Sequence, residues 1–303
     1  METQALKDEI IALKKQRNAV ILAHNYQNDE IQDIADYTGD SLELARRAAA
    51  IDSDTIVFCG VSFMAETAAI LNPGKTVLIP VEDAGCPMAD MIDGKQLREF
   101  KALHPGAKVL CYVNSTAEVK AESDICVTSS NAERIASSLP PDTEVVFVPD
   151  QHLGKHTADK LGRKFVLWNG FCPIHAKLTA DAIAEARKKH PGATVMVHPE
   201  SAEAVRKNAD QVLSTGEMCS FARSSANDEF IVGTELGILH RLQKENPGKK
   251  FYPLMTDTIC ADMKKITLTE LRDALLHMRH KVTVDREIAA KARQAVENML
   301  SIP

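Results

Sequence analysis

The sequence predicts an α/β protein: three similar α/β/α modules with short parallel sheets, arranged with pseudo-threefold symmetry around a central active site. Three observations carry this expectation. First, "HPGATVMVHPE" at residues 190–200 repeats "HPGAKVLCYVN" at 104–114. Second, the runs that follow are alike, "SAEAVRKNADQVLSTGEMCSFA" and "STAEVKAESDICVTSSNAERIA", and the N-terminal "RNAVILAHNYQNDEIQDIADYTGDSLELA" follows the same plan with weaker identity. Self-similarity at a fixed period signals a repeated structural unit. Third, short apolar runs alternate with amphipathic segments. That pattern implies parallel strands covered on both faces by helices and joined by right-handed crossovers.

The middle unit shows the elements in order. "KVLCYV" is a strand, a helix starts at Ser115, and "DICVT" is a second strand. A helix from Asn131, the strand "EVVFV", a helix near Lys155 and the strand "KFVLW" complete it. The expected modules are residues 1–104, 105–190 and 191–303. The first opens with a charged amphipathic helix in "METQALKDEIIALKKQ" rather than a signal peptide. The third ends in C-terminal helices, the last in "REIAAKARQAVENML". Before it, "MRHKVTV" reads as the start of a fourth unit that never completes.

The repeat aligns residues able to do chemistry. The first strand of each unit ends in His24, Tyr112 or His198, with Tyr26, Asn114 and Glu200 two residues on. Seventeen residues beyond each strand end stand Ser41, Ser129 and Thr215. Ligands of open parallel sheets bind beyond the carboxyl ends of the strands, so packing these ends inward would bring the sets together. The hydroxyls precede helices. They read either as N-caps or as part of an anion site at a helix start. His24, Tyr112 and His198 can exchange protons or donate hydrogen bonds, and Glu200 is a candidate general base.

The seven cysteines divide into two groups. Cys86, Cys172 and Cys260 recur at intervals of 86 and 88 residues, each in a loop after a strand-like run. Cys59, Cys111, Cys126 and Cys219 lie in apolar segments and read as small core residues. No Cys-x-x-Cys is present, so a metal site must gather distant ligands. Three thiolates with an open position suit a zinc with a water or an iron–sulfur cluster. An open iron would act as a Lewis acid that draws a hydroxyl from a substrate, a dehydratase-type chemistry. His175, three residues after Cys172, either joins that site or caps the next helix. Asp150, His152 and His156 lie together in "VPDQHLGKH" without a flanking metal motif.

Composition narrows the function classes. The net charge of −6 and the lack of a dense Lys/Arg run argue against nucleic-acid binding. No apolar run approaches the roughly 20 residues of a membrane span. The expected location is the cytoplasm, where cysteines stay reduced. The sequence has no P-loop, Rossmann fingerprint or nucleophile elbow.

"ILAHNYQNDEIQDIADYTGDSLELAR", "IVFCGVSFMAETAAILNP", "YVNSTAEVKAESDICVTSSNA", "HPE" and "STGEM", with the three widely spaced cysteines, resemble the quinolinate synthase family across nearly the whole chain. The resemblance implies condensation of iminoaspartate (iminosuccinate) with dihydroxyacetone phosphate to quinolinate, phosphate and water, in de novo NAD biosynthesis. It implies a 4Fe-4S cluster with three cysteine ligands, matching Cys86, Cys172 and Cys260, and one open iron. It implies iminosuccinate contacts at His24, Ser41, Tyr112, Val113, Asn114, Ser129, His198, Pro199, Glu200 and Thr215, and an active-site tyrosine at Tyr26. An aspartate-oxidising enzyme is the supplier it suggests. Two other functions fit the residues alone: a non-catalytic small-anion binder, or another iron–sulfur hydro-lyase.

Overall fold

The computed structural model describes residues 2–302. Helix α1 (Glu2–Gln16) precedes β1 (Ala19–His24), α2 (Asp29–Ile34), β2 (Tyr37–Gly39), α3 (Ser41–Ala50), β3 (Thr55–Cys59), α4 (Ser62–Leu71) and β4 (Thr76–Leu78). After α5 (Gly94–Ala102) come β5 (Lys108–Tyr112), α6 (Ala117–Ala121), β6 (Ile125–Val127), α7 (Ala132–Ser138), β7 (Val145–Val148), α8 (Gln151–Lys160) and β8 (Phe165–Leu167). After α9 (Ala180–Lys189) come β9 (Thr194–Val197), α10 (Glu203–Asn208), β10 (Gln211–Val212), α11 (Thr215–Ser224), β11 (Glu229–Gly233), α12 (Ile238–Glu245) and β12 (Lys250–Pro253). The chain ends with α13 (Ala261–Lys264), α14 (Leu268–His277) and α15 (Arg286–Ser301).

These strands form three four-stranded parallel sheets with one topology. The orders are β2-β1-β3-β4, β6-β5-β7-β8 and β10-β9-β11-β12. In each, the first strand of the unit lies centrally, so its carboxyl end opens into the middle of the sheet edge. The registers agree as well: Ala23 pairs with Cys59, Cys111 with Val148, and Val197 with Gly233. Strand β9 ends at Val197, one residue before the predicted His198, which begins the following turn.

Each sheet is buried on both faces, as its unbroken apolar strands require. On β1, Val20 and Leu22 face Leu44 and Ala48 of α3 and Met64, Ala65 and Ala68 of α4. Ile21 and Ala23 face Ile10 and Leu13 of α1 and Leu268, Leu271 and Leu275 of α14. Burying each such leucine contributes about 1.5–3 kcal/mol. Helix α14 comes from the end of the chain but completes the first core. Helix α15 likewise packs Ala295, Val296 and Met299 into the second core. The expected fourth unit does not start. Met278 takes a left-handed conformation at the end of α14, and Lys281 then forms an antiparallel bridge with Leu78. "MRHKVTV" thus edges the first sheet. Among the described residues, no helix is long and apolar enough to cross a membrane.

Candidate active site

The turns beyond β1 and β9 are built alike. The Gln27 N–H donates to the His24 carbonyl and the Ser201 N–H to the His198 carbonyl, both at 3.0 Å. In each, the imidazole Nδ1 accepts a main-chain N–H two residues on, from Tyr26 at 3.2 Å and from Glu200 at 3.4 Å. An imidazole that accepts at Nδ1 carries its proton on Nε2. Burial lowers both pKa values to about 3. Each ring therefore offers a neutral N–H donor to a common cavity. The third turn, after β5, contributes Tyr112 and Asn114 to the same cavity.

All three modules contribute side chains to the cavity. Ser41, Ser129 and Thr215 line it, but none is a helix cap. Asp40 caps α3 and Ser214 caps α11, each in a capping box with Glu43 or Glu217. Ser41 and Thr215 are the first helical residues. Ser129 sits in the turn before α7, where the Asn131 side chain accepts the Thr128 N–H at 2.6 Å. For Ser41 and Thr215 the capping reading fails because the preceding residue does that work, whereas α7 after Ser129 has no side-chain cap. The three hydroxyls are left facing the cavity at or near helix starts, where N–H groups favour anions. Gly216 is needed here: a Cβ on it would stand 2.6 Å from Asp40 Oδ2. The starts of α3 and α11 abut at that point.

A chain of hydrogen bonds crosses the cavity wall. The Tyr26 hydroxyl meets Thr234 Oγ1 at 2.6 Å, and Thr234 Oγ1 meets His175 Nε2 at 2.7 Å. His175 Nδ1 lies 2.7 Å from Glu200 Oε2, and the Tyr112 hydroxyl donates to Glu200 Oε1 at 2.5 Å. Burial opposes the charge on Glu200, but His175 and Tyr112 outweigh it and hold the carboxyl below its usual range. Burial and the Glu200 charge push both tyrosines well above their usual range, so their hydroxyls stay protonated. His175 stacks on His198 with ring centroids 4.6 Å apart. Asn114 Oδ1 is buried without a protein partner.

Cys86, Cys172 and Cys260 line the same cavity. Each opens a turn whose main-chain N–H groups two and three residues on favour the ionised sulfur: Met88 and Ala89, Ile174 and His175, Asp262 and Met263. Burial raises all three thiols, Cys86 to about 12. A metal would deprotonate them, and the N–H groups would then stabilise the sulfur charge. Three soft donors so prepared fit a thiolate-bound cluster with a free position. Glu235 steadies the third: its Oε1 accepts the Cys260 N–H at 3.1 Å and lies 3.2 Å from Lys264 Nζ. Cys59, Cys111, Cys126 and Cys219 are buried in the sheet cores instead.

Val113 and Pro199 lie buried inside their turns, between cavity-lining neighbours, and do not line the cavity themselves. Asp150 caps α8 by accepting the Leu153 N–H at 2.7 Å. His152 and His156 lie on α8 away from the cavity. Sequence reasoning left His175 open and missed Thr234 and Glu235. The latter two follow β11, the central partner of β9, and a repeat alignment extended to the third strand of each unit would have brought them forward.

Acid–base groups and three thiols around one buried cavity, assembled by three like modules, define an α/β enzyme for a small polar substrate. The chain belongs to the quinolinate synthetase A family, whose profile, described as "Quinolinate synthetase A protein", matches residues 8–301. It is 54% identical over 301 residues to a quinolinate synthase of Methanoregula boonei, covering 99% of each chain. It is 55% identical over 302 residues to one of Dehalococcoides mccartyi, covering 100% of each. With one of Thermodesulfovibrio yellowstonii it shares 51% identity over 299 residues, 97% of each.

Proposed function

We propose that the chain condenses iminoaspartate with dihydroxyacetone phosphate to quinolinate, releasing phosphate and two waters, at the cavity between the modules. The overall change is redox-neutral, so it demands proton transfers and a way to expel hydroxyl and phosphate. What carries this reading is the meeting of three equivalent strand ends and three equivalent cysteines at one cavity, in a chain of this family. The three cysteines would hold a 4Fe-4S cluster, which when bound supplies a Lewis acid for a departing hydroxyl.

The protein's own groups divide the remaining work. His24 and His198 donate from Nε2, and Ser41, Ser129 and Thr215 offer hydroxyls, a set suited to the substrate carboxylates. Asn114 Oδ1, without a protein partner, suits an N–H or O–H of the substrate. Glu200 is the base. Tyr112 and His175 keep it ionised, so that it is free to take a proton in the cavity. Tyr26 and Tyr112 supply protons and receive them back. An imine is hydrolysable, so the reaction calls for a site screened from bulk water. Iminoaspartate would come from an aspartate-oxidising enzyme, and the location would be cytoplasmic.

The test is anaerobic purification followed by assay with both substrates. The expected protein is brown and makes quinolinate. Cys86→Ser, Cys172→Ser and Cys260→Ser each lose colour and product, whereas Cys59→Ala keeps both. A colourless, iron-free preparation that still forms quinolinate would sink the cluster assignment. An iron-loaded protein that binds both substrates without product would reduce the chain to a binder.

A further inference from the structure

Asn25, fully buried beyond β1, donates from Nδ2 to Thr215 Oγ1 at 3.0 Å. Its Oδ1 accepts from the Arg241 guanidinium at 2.7 Å. A guanidinium carries only donors, so the Asn25 oxygen must face it. The amide NH₂ then faces Thr215, and it too can only donate. One lone pair of the Thr215 oxygen is thereby committed to the protein. Its own O–H proton is left for the cavity that Thr215 lines.

We propose that Arg241 and Asn25 are positioning residues that commit the Thr215 hydroxyl to donating toward a carboxylate of the substrate. This rests on the reading of the cavity as the iminoaspartate site. Arg241 does not line the cavity and acts through Asn25. It is held in place on α12 by Glu245 at 2.7 Å and approaches Glu43 of the α3 capping box at 3.5 Å. Gln32 Nε2 donates to the Asn25 carbonyl at 3.2 Å and to the Gly237 carbonyl at 2.8 Å, which fixes the relay between the first and third modules. A free hydroxyl would turn to suit donor or acceptor. Here the Asn25 amide takes one of the two lone pairs, which biases the hydroxyl toward a ligand that accepts, such as a carboxylate oxygen.

The experiment uses the cluster-loaded protein under anaerobic conditions. It measures KM for iminoaspartate, kcat, and the Kd of pyridine-2,3-dicarboxylate. The variants are Thr215→Val, Asn25→Asp, the two combined, Arg241→Met and Arg241→Lys. In Asn25→Asp the carboxylate accepts the Thr215 proton and withdraws it from the cavity. Thr215→Val and Asn25→Asp are each expected to raise KM and Kd on the order of tenfold, the loss of one hydrogen bond to a charged group, with kcat changing less. The double variant should be no worse than Thr215→Val, because both changes remove the same donor. Arg241→Met should weaken binding and Arg241→Lys, still a pure donor, should restore most of it; this pair carries the same test should Asn25→Asp fail to fold. An effective Thr215→Val beside a neutral Asn25→Asp, or additive losses in the double variant, overturns the relay alone. A neutral Thr215→Val overturns the carboxylate site and the relay with it.

Discussion

The turns after β1 and β9 hold an imidazole in the same way, yet they end in different chemistry. His24 and His198 share a tautomer, a burial and an Nδ1 acceptor bond. Two residues on, one turn places the Tyr26 hydroxyl and the other the Glu200 carboxylate, joined through Thr234 and His175. The main chain is the conserved part of the design, and the side chain that the turn displays is the variable part. A duplicated scaffold can thus serve an asymmetric substrate without altering its backbone.

The comparison breaks most visibly at the two display positions. Glu200→Gln should lower kcat by about 10²–10⁴, the usual worth of a general base, while the protein keeps its colour. Tyr26→Phe should cost less, because Thr234 and His175 remain connected to Glu200. Equal losses, measured as kcat of the anaerobic enzyme, would mean that the two turns do equivalent work. The helix starts give the next test. α3 carries Leu42 where α11 carries Gly216, one residue after the cavity hydroxyl. Gly216→Ala should destabilise the protein by about 1–3 kcal/mol, an overpacking cost, through the contact with Asp40. Denaturant titration checks it, and an unchanged midpoint would show that the two starts separate freely.

The last test, read as a slope per pH unit, concerns protonation. Both imidazoles have folded pKa values of about 3, below the unfolded value near 6.5. The unfolded chain binds more protons in that interval, so this stability is fully present above about pH 6.5 and is lost as pH falls toward 3. Each histidine should add about 1.4 kcal/mol per pH unit to the slope of unfolding free energy within the window. Denaturant titrations at several pH values should show His24→Asn and His198→Asn each removing a similar share. Unequal shares would mean that the two sites differ in burial or charge despite their matching turns.

The repeat made the three sheets legible, because apolar strands at a fixed period leave few alternatives. The strand-end residues and the periodic cysteines were legible for the same reason. The helix starts were less so. "GDSLELA" and "LSTGEM" each offer two adjacent capping residues, and only the turn geometry decides that Asp40 and Ser214 cap while Ser41 and Thr215 face inward. "MRHKVTV" looked like a new first strand because local hydrophobicity carries no information about which sheet edge is vacant. Arg241 was invisible, since its partner Asn25 is 216 residues away. His175 could be located beside Cys172 but not given a partner, because Glu200 and Thr234 reach it from the third module.

The position of α14 has a consequence for synthesis. The face of the first sheet formed by Ile21, Ala23 and Val57 packs on Leu268, Leu271 and Leu275, which a ribosome makes more than 200 residues after the strands they cover. Until then α1 alone covers that side of the earliest strands, through Ile10 and Leu13, however long they have been outside the exit tunnel. The cavity that gathers the three thiols is therefore a product of the finished chain, and iron delivered to a nascent chain would find its ligands still apart.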